Sequence, residues 1–471
     1  MGNLFSDMHL MEGVKINTSI PGPRSSMLLQ KQQEIEGSIV SYPRSLPIAI
    51  KRAKGASIED VDGNVFMDFF SLAGVVNLGH CNPHILEYTS KQQNELVHAL
   101  DFPTENKLNA IENILQHLPG AFQDSYKVNF VGPTGSDAIE AAVKLAKMKT
   151  GRDTFIAFSG SYHGMTSAAL ALTSDITFRR KFSSPIPNIH FIPFSYCYRC
   201  PFKVSPDSCQ LDCAKILENI LTDRHSGVSK PAAIIIEPIQ GEGGNVVPRE
   251  GYLEELTRIA HEHDVLVIFD EIQAGFYRTG EFLASMHSNT TPDIITMSKG
   301  LGGVGFPISA IVYRKDIEAW GPGDHVGTFR GNQVSLAGCN GAFDFIKKFP
   351  VKENVVKMSE MLLGGLQSLA AEYDHIGEVR GKGLMAGIEF VKDRVRKTPF
   401  PEFAAKFKQN CLHQGLILEI GGHHSNVARL LPPLTITGPM IDVALTVIKN
   451  ALDSITNENV MTRELPQKTW P

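Results

Sequence analysis

The sequence has no apolar run long enough to cross a membrane and no excess of basic residues. Its longest apolar runs, such as 232–236 and 265–269, are far shorter than the roughly 18 residues of a membrane-spanning helix. Lys and Arg together number 45 against 50 Asp and Glu, which gives a formal net charge of −5. These features argue against a membrane protein and against nucleic acid as the main partner, because nucleic acid favours a basic surface.

The sequence also lacks an even set of cysteines and an apolar signal segment. An odd count of seven cysteines in a long chain indicates a reducing, cytoplasmic setting rather than a disulfide framework. Four of them have the spacing C-x2-C-x8-C-x3-C: Cys197, Cys200, Cys209 and Cys213. A zinc clip is conceivable there. We favour an ordinary surface loop because the second pair is irregular, so the sequence predicts no metal.

Between about 125 and 312, short β-branched runs alternate with longer helical stretches. This alternation is typical of an α/β protein with a mostly parallel sheet. The seven predicted strands are 127–131, 154–158, 189–193, 232–236, 266–269, 294–297 and 308–313. Helices are predicted at 137–149, 252–263, 335–348 and 351–372, and short strands near 51–69, 387–391 and 416–419. The pattern indicates one large α/β domain and a smaller α+β domain built from both ends of the chain.

Three charged residues stand at the carboxyl ends of predicted strands. Glu237 follows one strand, Asp270 closes the next, and Lys299 follows a third. In open α/β sheets, ligands bind beyond these strand ends. Each residue alone is more typical of a capped strand or a solvated loop. An acid and a lysine that face one crevice beside glycines instead predict a site for a cofactor that bonds to an amine.

A phosphate cradle is also predicted, where a strand turns through Gly132 into a long helix. The free backbone N–H groups and the helix dipole at Gly135 and Ser136 would hold a dianion, although the same pattern fits an ordinary capped helix. Further on, Tyr162 in Tyr162-His163-Gly164 could stack on a planar ring or lie in the core. Together, the two motifs add a phosphate and a ring to the predicted ligand.

The ordered motifs resemble those of the class III aminotransferases, which are pyridoxal-phosphate enzymes of fold type I. Each motif alone is weak, but six in this order are specific, and the resemblance extends from about 41 to 448. The motifs are Thr134-Gly135-Ser136-Asp137-Ala138, Tyr162-His163-Gly164, Glu237-Pro238-Ile239-Gln240-Gly241, Asp270-Glu271-Ile272-Gln273-Ala274-Gly275, Ser298-Lys299-Gly300 and Gly327-Thr328-Phe329-Arg330-Gly331-Asn332. A lysine bonded to the cofactor and an acid beside its pyridine nitrogen are marks of pyridoxal 5'-phosphate enzymes.

The resemblance implies a role for each matching residue. Lys299 would bond to the cofactor and later move the proton between carbons, and Asp270 would pair with the pyridine nitrogen. The remaining cofactor-binding residues would hold the phosphate, cover the ring or lie beside the ring oxygen: Gly135, Ser136, Tyr162, His163 and Gln273. Thr328 would reach the phosphate of the neighbouring subunit, which implies a homodimer or a larger oligomer with shared sites.

The same resemblance assigns substrate binding to Glu237 and Arg380. Arg380 would bind the α-carboxylate of glutamate or 2-oxoglutarate, and Glu237 would pair with it when a terminal amine reacts. Relatives that act on 4-aminobutyrate or acetylornithine commonly have arginine after Tyr-His-Gly, where this chain has Met165. That departure argues against 4-aminobutyrate and acetylornithine as substrates of this chain. It leaves Arg44 and Arg330 as candidates for the distal carboxylate of 2-oxoglutarate.

Within the family, the chain is most similar to the diaminobutyrate 4-aminotransferases, in stretches such as Ser41-Tyr42-Pro43-Arg44 and Gly327-Thr328-Phe329-Arg330-Gly331-Asn332-Gln333. The implied reaction moves the terminal amine of L-2,4-diaminobutyrate to 2-oxoglutarate, giving L-aspartate 4-semialdehyde and L-glutamate. Another ω-aminotransferase, with 4-aminobutyrate, ornithine or lysine as donor, stays open, as does an amino-acid racemase or epimerase. The implied domains are an N-terminal arm (1–40), a first part of the small domain (41–80), the cofactor-binding domain (81–334) and the C-terminal small domain (335–471).

Overall fold

A computed structural model describes residues 5–180, 188–205 and 207–464. The strands of these residues are β1 (Ile50–Lys54), β2 (Ser57–Asp60), β3 (Val65–Asp68), β4 (Tyr126–Gly132), β5 (Phe155–Phe158), β6 (Ile189–Ile192), β7 (Ala233–Ile236), β8 (Leu266–Asp270), β9 (Ile294–Met297), β10 (Ser309–Arg314), β11 (Ile376–Lys382), β12 (Met385–Phe390), β13 (Leu416–Ile417), β14 (Glu419–Gly421) and β15 (Val427–Leu430).

The longer helices are α1 (Pro23–Ile35), α2 (Pro83–Glu95), α3 (Glu105–His117), α4 (Gly135–Thr150), α5 (Asp212–Thr222), α6 (Tyr252–Glu262), α7 (Gln333–Lys348), α8 (Val351–Glu372), α9 (Pro401–His413) and α10 (Gly438–Glu464). Shorter helical segments are Tyr42–Ser45, Ser71–Gly74, Gly120–Gln123, Ser167–Leu172 and Ile176–Arg179. In the part of the chain that is described, every helix is too short or too polar to pass through a lipid bilayer.

The central sheet has seven strands in the order β4-β10-β9-β8-β7-β5-β6. β10 is antiparallel to both of its neighbours, and the other neighbouring strands are parallel. All seven predicted strands occur, each within one residue of its predicted bounds. The predicted α/β class with a mostly parallel seven-stranded sheet is therefore confirmed.

Helices cover both faces of this sheet, because its strands alternate apolar side chains between two cores. On β7, Ile235 packs in one core with Ile139 of α4, whereas Ile234 and Ile236 pack in the other core with Leu256 of α6. The three isoleucines are fully buried. Burying one such side chain stabilises the fold by about 2 kcal/mol. This two-sided burial leaves the strand ends as the open edge where a ligand can bind.

Two smaller sheets lie outside the central one, with the orders β1-β2-β3-β13 and β11-β12-β15-β14. β13 runs parallel to β3, with Leu416 opposite Met67, so one segment from the N-terminal part and one from the C-terminal part of the chain share a sheet. We keep the domain boundaries at 41, 81 and 335 as a proposal. The sequence pattern did not predict β11, β15 or the helix α1.

Candidate active site

Three adjacent parallel strands, β7, β8 and β9, deliver three of the predicted site residues. Glu237 follows β7, Asp270 is the last residue of β8, and Lys299 lies just beyond β9. Since the carboxyl ends of parallel strands lie at one edge, the structure brings the three side chains into the same crevice. The carboxylates of Asp270 and Glu237 both act on the Lys299 ammonium.

Asp270 is a buried carboxylate whose two oxygens are held in place. Oδ2 lies 2.7 Å from Nδ1 of His163. Oδ1 accepts hydrogen bonds from the backbone N–H of Ile272 at 3.0 Å and from the hydroxyl of Thr296 at 3.2 Å. Asp270 is 4% exposed. A fixed anion in a site with little water exerts a strong and directed field.

Lys299 has a left-handed backbone conformation and a lowered side-chain pKa. Its φ is +46°, a left-handed conformation that costs a non-glycine residue about 1–3 kcal/mol and often marks a functional position. The surrounding protein removes most of the hydration of its side chain, which lowers the pKa of the ammonium to about 8, although Asp270 acts in the opposite direction. A lysine with this pKa supplies far more neutral amine at neutral pH than an ordinary one does.

The predicted phosphate cradle lies where β4 leads into α4. The backbone N–H and hydroxyl of Thr134 donate to Asp137, whose own N–H donates back, and this capping box fixes the first turn of the helix. A side chain on Gly135 would approach Ile272 to 2.9 Å, and one on Gly164 would approach the Ser136 hydroxyl to 2.1 Å. Glycines keep the turn open, so its N–H groups can face an anion.

Tyr162 and Gln273 line the same crevice. Gln273 donates from Nε2 to the carbonyl of Ala73 at 3.0 Å, and its buried Oε1 has no partner among the described residues. A side chain on Gly241 would approach that oxygen to 1.8 Å. The Tyr162 ring meets Phe178 edge-on, with centroids 5.8 Å apart. The crevice therefore holds an aromatic ring and a buried acceptor that a ligand could satisfy.

Glu237 is buried and accepts two backbone hydrogen bonds. The N–H of Tyr162 donates to Oε1 and the N–H of Gly241 to Oε2, both at 3.0 Å. Burial raises the pKa of Glu237 to about 7, and Asp270 raises it further, while His163 and the two N–H groups oppose the shift. The residue thus fixes the backbone beside the cofactor site and can titrate near neutral pH.

The expected ion pair between Glu237 and Arg380 is not formed. The Arg380 guanidinium instead pairs with Glu378 and Glu389 and donates from Nε to the carbonyl of Gly244 at 2.9 Å. The reason is local, because Glu378 and Glu389 lie opposite each other in the β11–β12 ladder and neutralise the arginine between them. The role of Arg380 as a carboxylate ligand stays an untested prediction.

The sequence analysis missed a second glutamate–arginine pair, which does lie at the crevice. Arg429 of β15 pairs with Glu242 at 2.7 Å, and both groups act electrostatically on Lys299. Arg429 is 3% exposed, and its Nε has no partner among the described residues. Glu242 could have been found from the sequence, because it shares a glycine-rich turn with Glu237.

The loop that carries Thr328 lies at the surface of the single chain. Thr328 is exposed, and Phe329 beside it is 68% exposed. The loop is held by Arg330, which pairs with Asp101, and by Gln333, whose N–H donates to the carbonyl of Val97 at 2.9 Å. The structure thus presents Thr328 outward on a fixed loop.

The four clustered cysteines lie beside each other around a small cavity. In the described residues, no group of three or more His, Cys, Asp and Glu side chains is arranged to hold a metal ion. All seven cysteines are free thiols. The cysteine loop therefore gives no geometric support to the zinc alternative.

A strand-end lysine and aspartate, with a tyrosine and a glycine-lined helix start beside them, are the arrangement expected of a pyridoxal-phosphate enzyme of fold type I. Residues 40–452 match the family described as Aminotransferase class-III. The chain therefore belongs to the class III aminotransferases, as the sequence motifs predicted. It is a pyridoxal-phosphate-dependent enzyme that exchanges an amino group between an amino donor and a 2-oxo acid.

Similar proteins cover nearly the whole chain. One is the diaminobutyrate–2-oxoglutarate aminotransferase of Haemophilus influenzae, 40% identical over 411 residues that make up 86% of this chain and 90% of that protein. Another, of the same name and from Rhizobium meliloti, is 36% identical over 441 residues, or 92% and 94% of the two chains. The crystal structure of a Bacillus anthracis aminotransferase has a TM-score of 0.83 at 28% identity and covers 92% of this chain and 99% of that one.

The site residues fit pyridoxal phosphate on several observations. The first turn of α4 presents N–H groups where glycines leave room for an anion. A buried carboxylate and a lysine of lowered pKa face each other. Oε1 of Gln273 and Nε2 of His163 are both buried and have no partner among the described residues. A phosphate, a protonatable ring nitrogen and an aldehyde are complementary to this set.

Proposed function

We propose that this enzyme moves the terminal amine of L-2,4-diaminobutyrate to 2-oxoglutarate, giving L-aspartate 4-semialdehyde and L-glutamate reversibly. The observation that carries the proposal is the buried arginine Arg429, masked by the half-exposed carboxylate of Glu242 at 2.7 Å. Such a pair serves two substrates, one with a carboxylate beside the reacting carbon and one without. The names of the relatives support diaminobutyrate as the donor. Met165, which is half exposed, cannot form the ion pair of an arginine at that position.

The cofactor, when bound, supplies an aldehyde that bonds to amines and a ring that withdraws electrons from the reacting carbon. In this proposal Lys299 would anchor it, and Nζ would then move a proton between the two carbons that flank the reacting nitrogen. Asp270, held by His163, keeps the ring nitrogen protonated through its fixed charge. Gly135 and Ser136 hold the phosphate, Tyr162 covers one ring face and Gln273 faces the ring oxygen.

The Glu242–Arg429 pair explains how one crevice accepts both substrates. When diaminobutyrate presents its terminal amine, no carboxylate reaches Arg429, and Glu242 neutralises the arginine. When 2-oxoglutarate enters, its α-carboxylate takes the place of Glu242, whose side chain is 38% exposed and can turn to solvent. Arg429 stays buried and has a carboxylate partner in either state.

Replacing Arg429 with leucine should lower kcat/KM for 2-oxoglutarate by about 100-fold, because one buried charge-assisted contact is lost. The diaminobutyrate half-reaction should fall by much less, since the donor makes no carboxylate contact there. Single-turnover measurements of the two half-reactions test this. An equal loss in both would contradict the role of Arg429.

A panel of amino donors with 2-oxoglutarate tests the proposed function. We expect diaminobutyrate to give the highest kcat/KM, with loss of the 4-amino nitrogen and retention of configuration at Cα. Donors labelled with ¹⁵N at one position identify the nitrogen that leaves, and chiral analysis of the recovered donor reports on Cα. A higher kcat/KM with 4-aminobutyrate, ornithine or lysine, or inversion at Cα, would overturn the proposal.

We further propose that the enzyme is a homodimer with shared sites. The loop of Thr328 supports this, because it lies in an exposed apolar surface. The apolar side chains of that surface are between 43% and 71% exposed: Leu96, Val97, Leu100, Phe102, Val326 and Phe329. A hydrogen bond from the N–H of Ala99 to the carbonyl of Gly331, together with the ion pair of Arg330 and Asp101, joins the two segments into one surface. Contiguous exposed apolar residues mark interfaces between chains.

Replacing Thr328 with alanine should weaken cofactor binding about tenfold, the effect of losing one hydrogen bond to a charged phosphate. Titration of the cofactor-free protein with pyridoxal phosphate measures this. In mixed dimers of Thr328→Ala and Lys299→Ala subunits, the site that keeps Lys299 faces an intact Thr328 and should bind with wild-type affinity. Weak binding in the mixed dimer would place Thr328 in its own subunit's site.

We also propose that the enzyme works in the cytoplasm. The seven free thiols support this, because a reducing compartment keeps such thiols from pairing. Recovery of the activity in the cytoplasmic fraction of the source cells would test the proposal, and recovery outside it would contradict it.

A further inference from the structure

Two arginines flank one glycine in the sheet beside the active site. In the register of β11, β12 and β15, Gly387 lies opposite Arg380 on one side and opposite Arg429 on the other. Residues directly opposite each other in antiparallel strands project from the same face of a sheet. An ideal side-chain carbon on Gly387 would lie 3.1 Å from the carbonyl oxygen of Gly244. The channel between the two arginines is therefore filled by backbone from another part of the chain.

That backbone is the turn at 241–244, which carries Glu242, and each arginine contacts it. Arg380 donates from Nε to the carbonyl of Gly244 at 2.9 Å, and Arg429 pairs with the carboxylate of Glu242 at 2.7 Å. Asn245 beside the turn donates to the carbonyl of Ala386 at 2.7 Å. One arginine thus holds the backbone of the turn, and the other pairs with its partly exposed side chain.

The contact of Arg380 with the turn is held more firmly than the contact of Arg429, because Arg380 has a buried ionic partner in Glu389. The Arg380 side chain is 9% exposed and pairs with Glu378 and with Glu389, which is fully buried. Its guanidinium carbon lies 5.0 Å from the ring centre of Tyr196. Pulling Arg380 away would leave buried charges without partners, which is strongly unfavourable.

Arg429 has a more replaceable partner. The only carboxylate paired with it in the described residues is that of Glu242, whose side chain is 38% exposed and can be hydrated once it leaves. The Nε of Arg429 is buried and has no partner among those residues. Arg380 also has a buried nitrogen without a partner among the described residues, so the difference lies in the acids: Glu242 is 38% exposed, whereas Glu389 beside Arg380 is fully buried. A substrate carboxylate can therefore displace Glu242 from Arg429 more readily than it can displace Glu389 from Arg380.

We propose that Arg380 is a positioning residue that fixes the turn at 241–244, so that Glu242 returns to Arg429 each time a carboxylate leaves. This inference rests on the proposed role of Arg429. With the turn loosened, Arg429 stays unmasked during the donor half-reaction, and its charge opposes the donor's ammonium groups. The acceptor half-reaction suffers less, because Glu242 has already left Arg429 in that step.

The test is the ratio of the two half-reaction rates in Arg380→Gln, measured by single-turnover absorbance on the holoenzyme. The donor is whichever amine the wild-type enzyme accepts best, so the result does not depend on diaminobutyrate. We expect the donor half-reaction to fall roughly tenfold more than the acceptor half-reaction. Arg380→Lys, which keeps a charge and a donor, should recover part of the donor rate.

Arg199→Gln is the matched control, because Arg199 pairs with the same Glu389 but does not contact the turn. It should destabilise the buried cluster and leave the ratio of half-reaction rates unchanged. If Arg380→Gln does not fold, Gly387→Ala replaces it, since the added methyl group pushes on the Gly244 carbonyl without removing a charge. Equal losses in both half-reactions of Arg380→Gln would overturn the proposal. So would a change in the ratio of the two rates in Arg199→Gln as large as that in Arg380→Gln. Failure of the donor panel would overturn only the substrate assignment.

Discussion

Replacing Lys299 with alanine should abolish amino transfer, lowering kcat by about 10⁴-fold or more. Two functions would disappear together, because in the proposed mechanism the same Nζ anchors the cofactor and moves the proton at the reacting carbon. The lowered pKa of about 8 suits both, since it keeps a useful fraction of the amine neutral near physiological pH. Steady-state turnover with diaminobutyrate and 2-oxoglutarate measures the loss.

A lysine of ordinary surroundings serves as the control for this prediction. Lys357 is exposed on α8, far along the chain from the strand ends, and Lys357→Ala should keep wild-type turnover. Circular dichroism and thermal unfolding of both variants show whether the fold is intact. A folded Lys299→Ala protein with turnover near that of the wild type would refute the assignment of the catalytic lysine.

Replacing Asp270 with alanine should slow proton removal from the donor by about 10³-fold, because a fixed charge beside the ring nitrogen is lost. The buried position makes the effect large, since water cannot replace the carboxylate at that place. The single-turnover rate with excess donor reports this step directly. Asp270→Glu, which keeps the charge but moves it, should lie between the wild type and the alanine variant.

His163 positions the Asp270 carboxylate, and an exposed aspartate elsewhere serves as the control. The Nδ1 of His163 lies 2.7 Å from Oδ2 of Asp270, so His163 holds the carboxylate in its orientation. Asp316→Ala, which removes an exposed carboxylate paired with Arg314, should leave the single-turnover rate unchanged. An unchanged rate in Asp270→Ala as well would remove Asp270 from the mechanism.

The central sheet could be predicted from the sequence because its strands are continuous apolar runs between polar turns. β9 and α8 have the predicted bounds, and the strand-end rule then placed Glu237, Asp270 and Lys299 at one edge. β11 could not be found in this way. It contains Gly377, Gly381 and several charged residues, and its extended form depends on pairing with β12 and on the buried ion pairs of Arg380.

The proposal that Arg429, and not Arg380, binds the substrate carboxylate could not be made from the sequence for the same reason. The sequence offers two acids in one turn, Glu237 and Glu242, and two arginines on unrelated segments. Which arginine meets which acid depends on the register of three strands around Gly387, and register is a property of the assembled sheet. Arg429 therefore became visible only once β15 was placed beside β12.

We expect pyridoxal phosphate to bond covalently to the side chain of Lys299. Reducing the holoenzyme with borohydride fixes this bond, and mass spectrometry of the digested protein then locates the cofactor on one peptide. The pyridoxyl group should be found on Lys299 and should be absent from the Lys299→Ala protein treated in the same way. A pyridoxyl group on a different lysine, or no labelled peptide from an active preparation, would contradict this expectation.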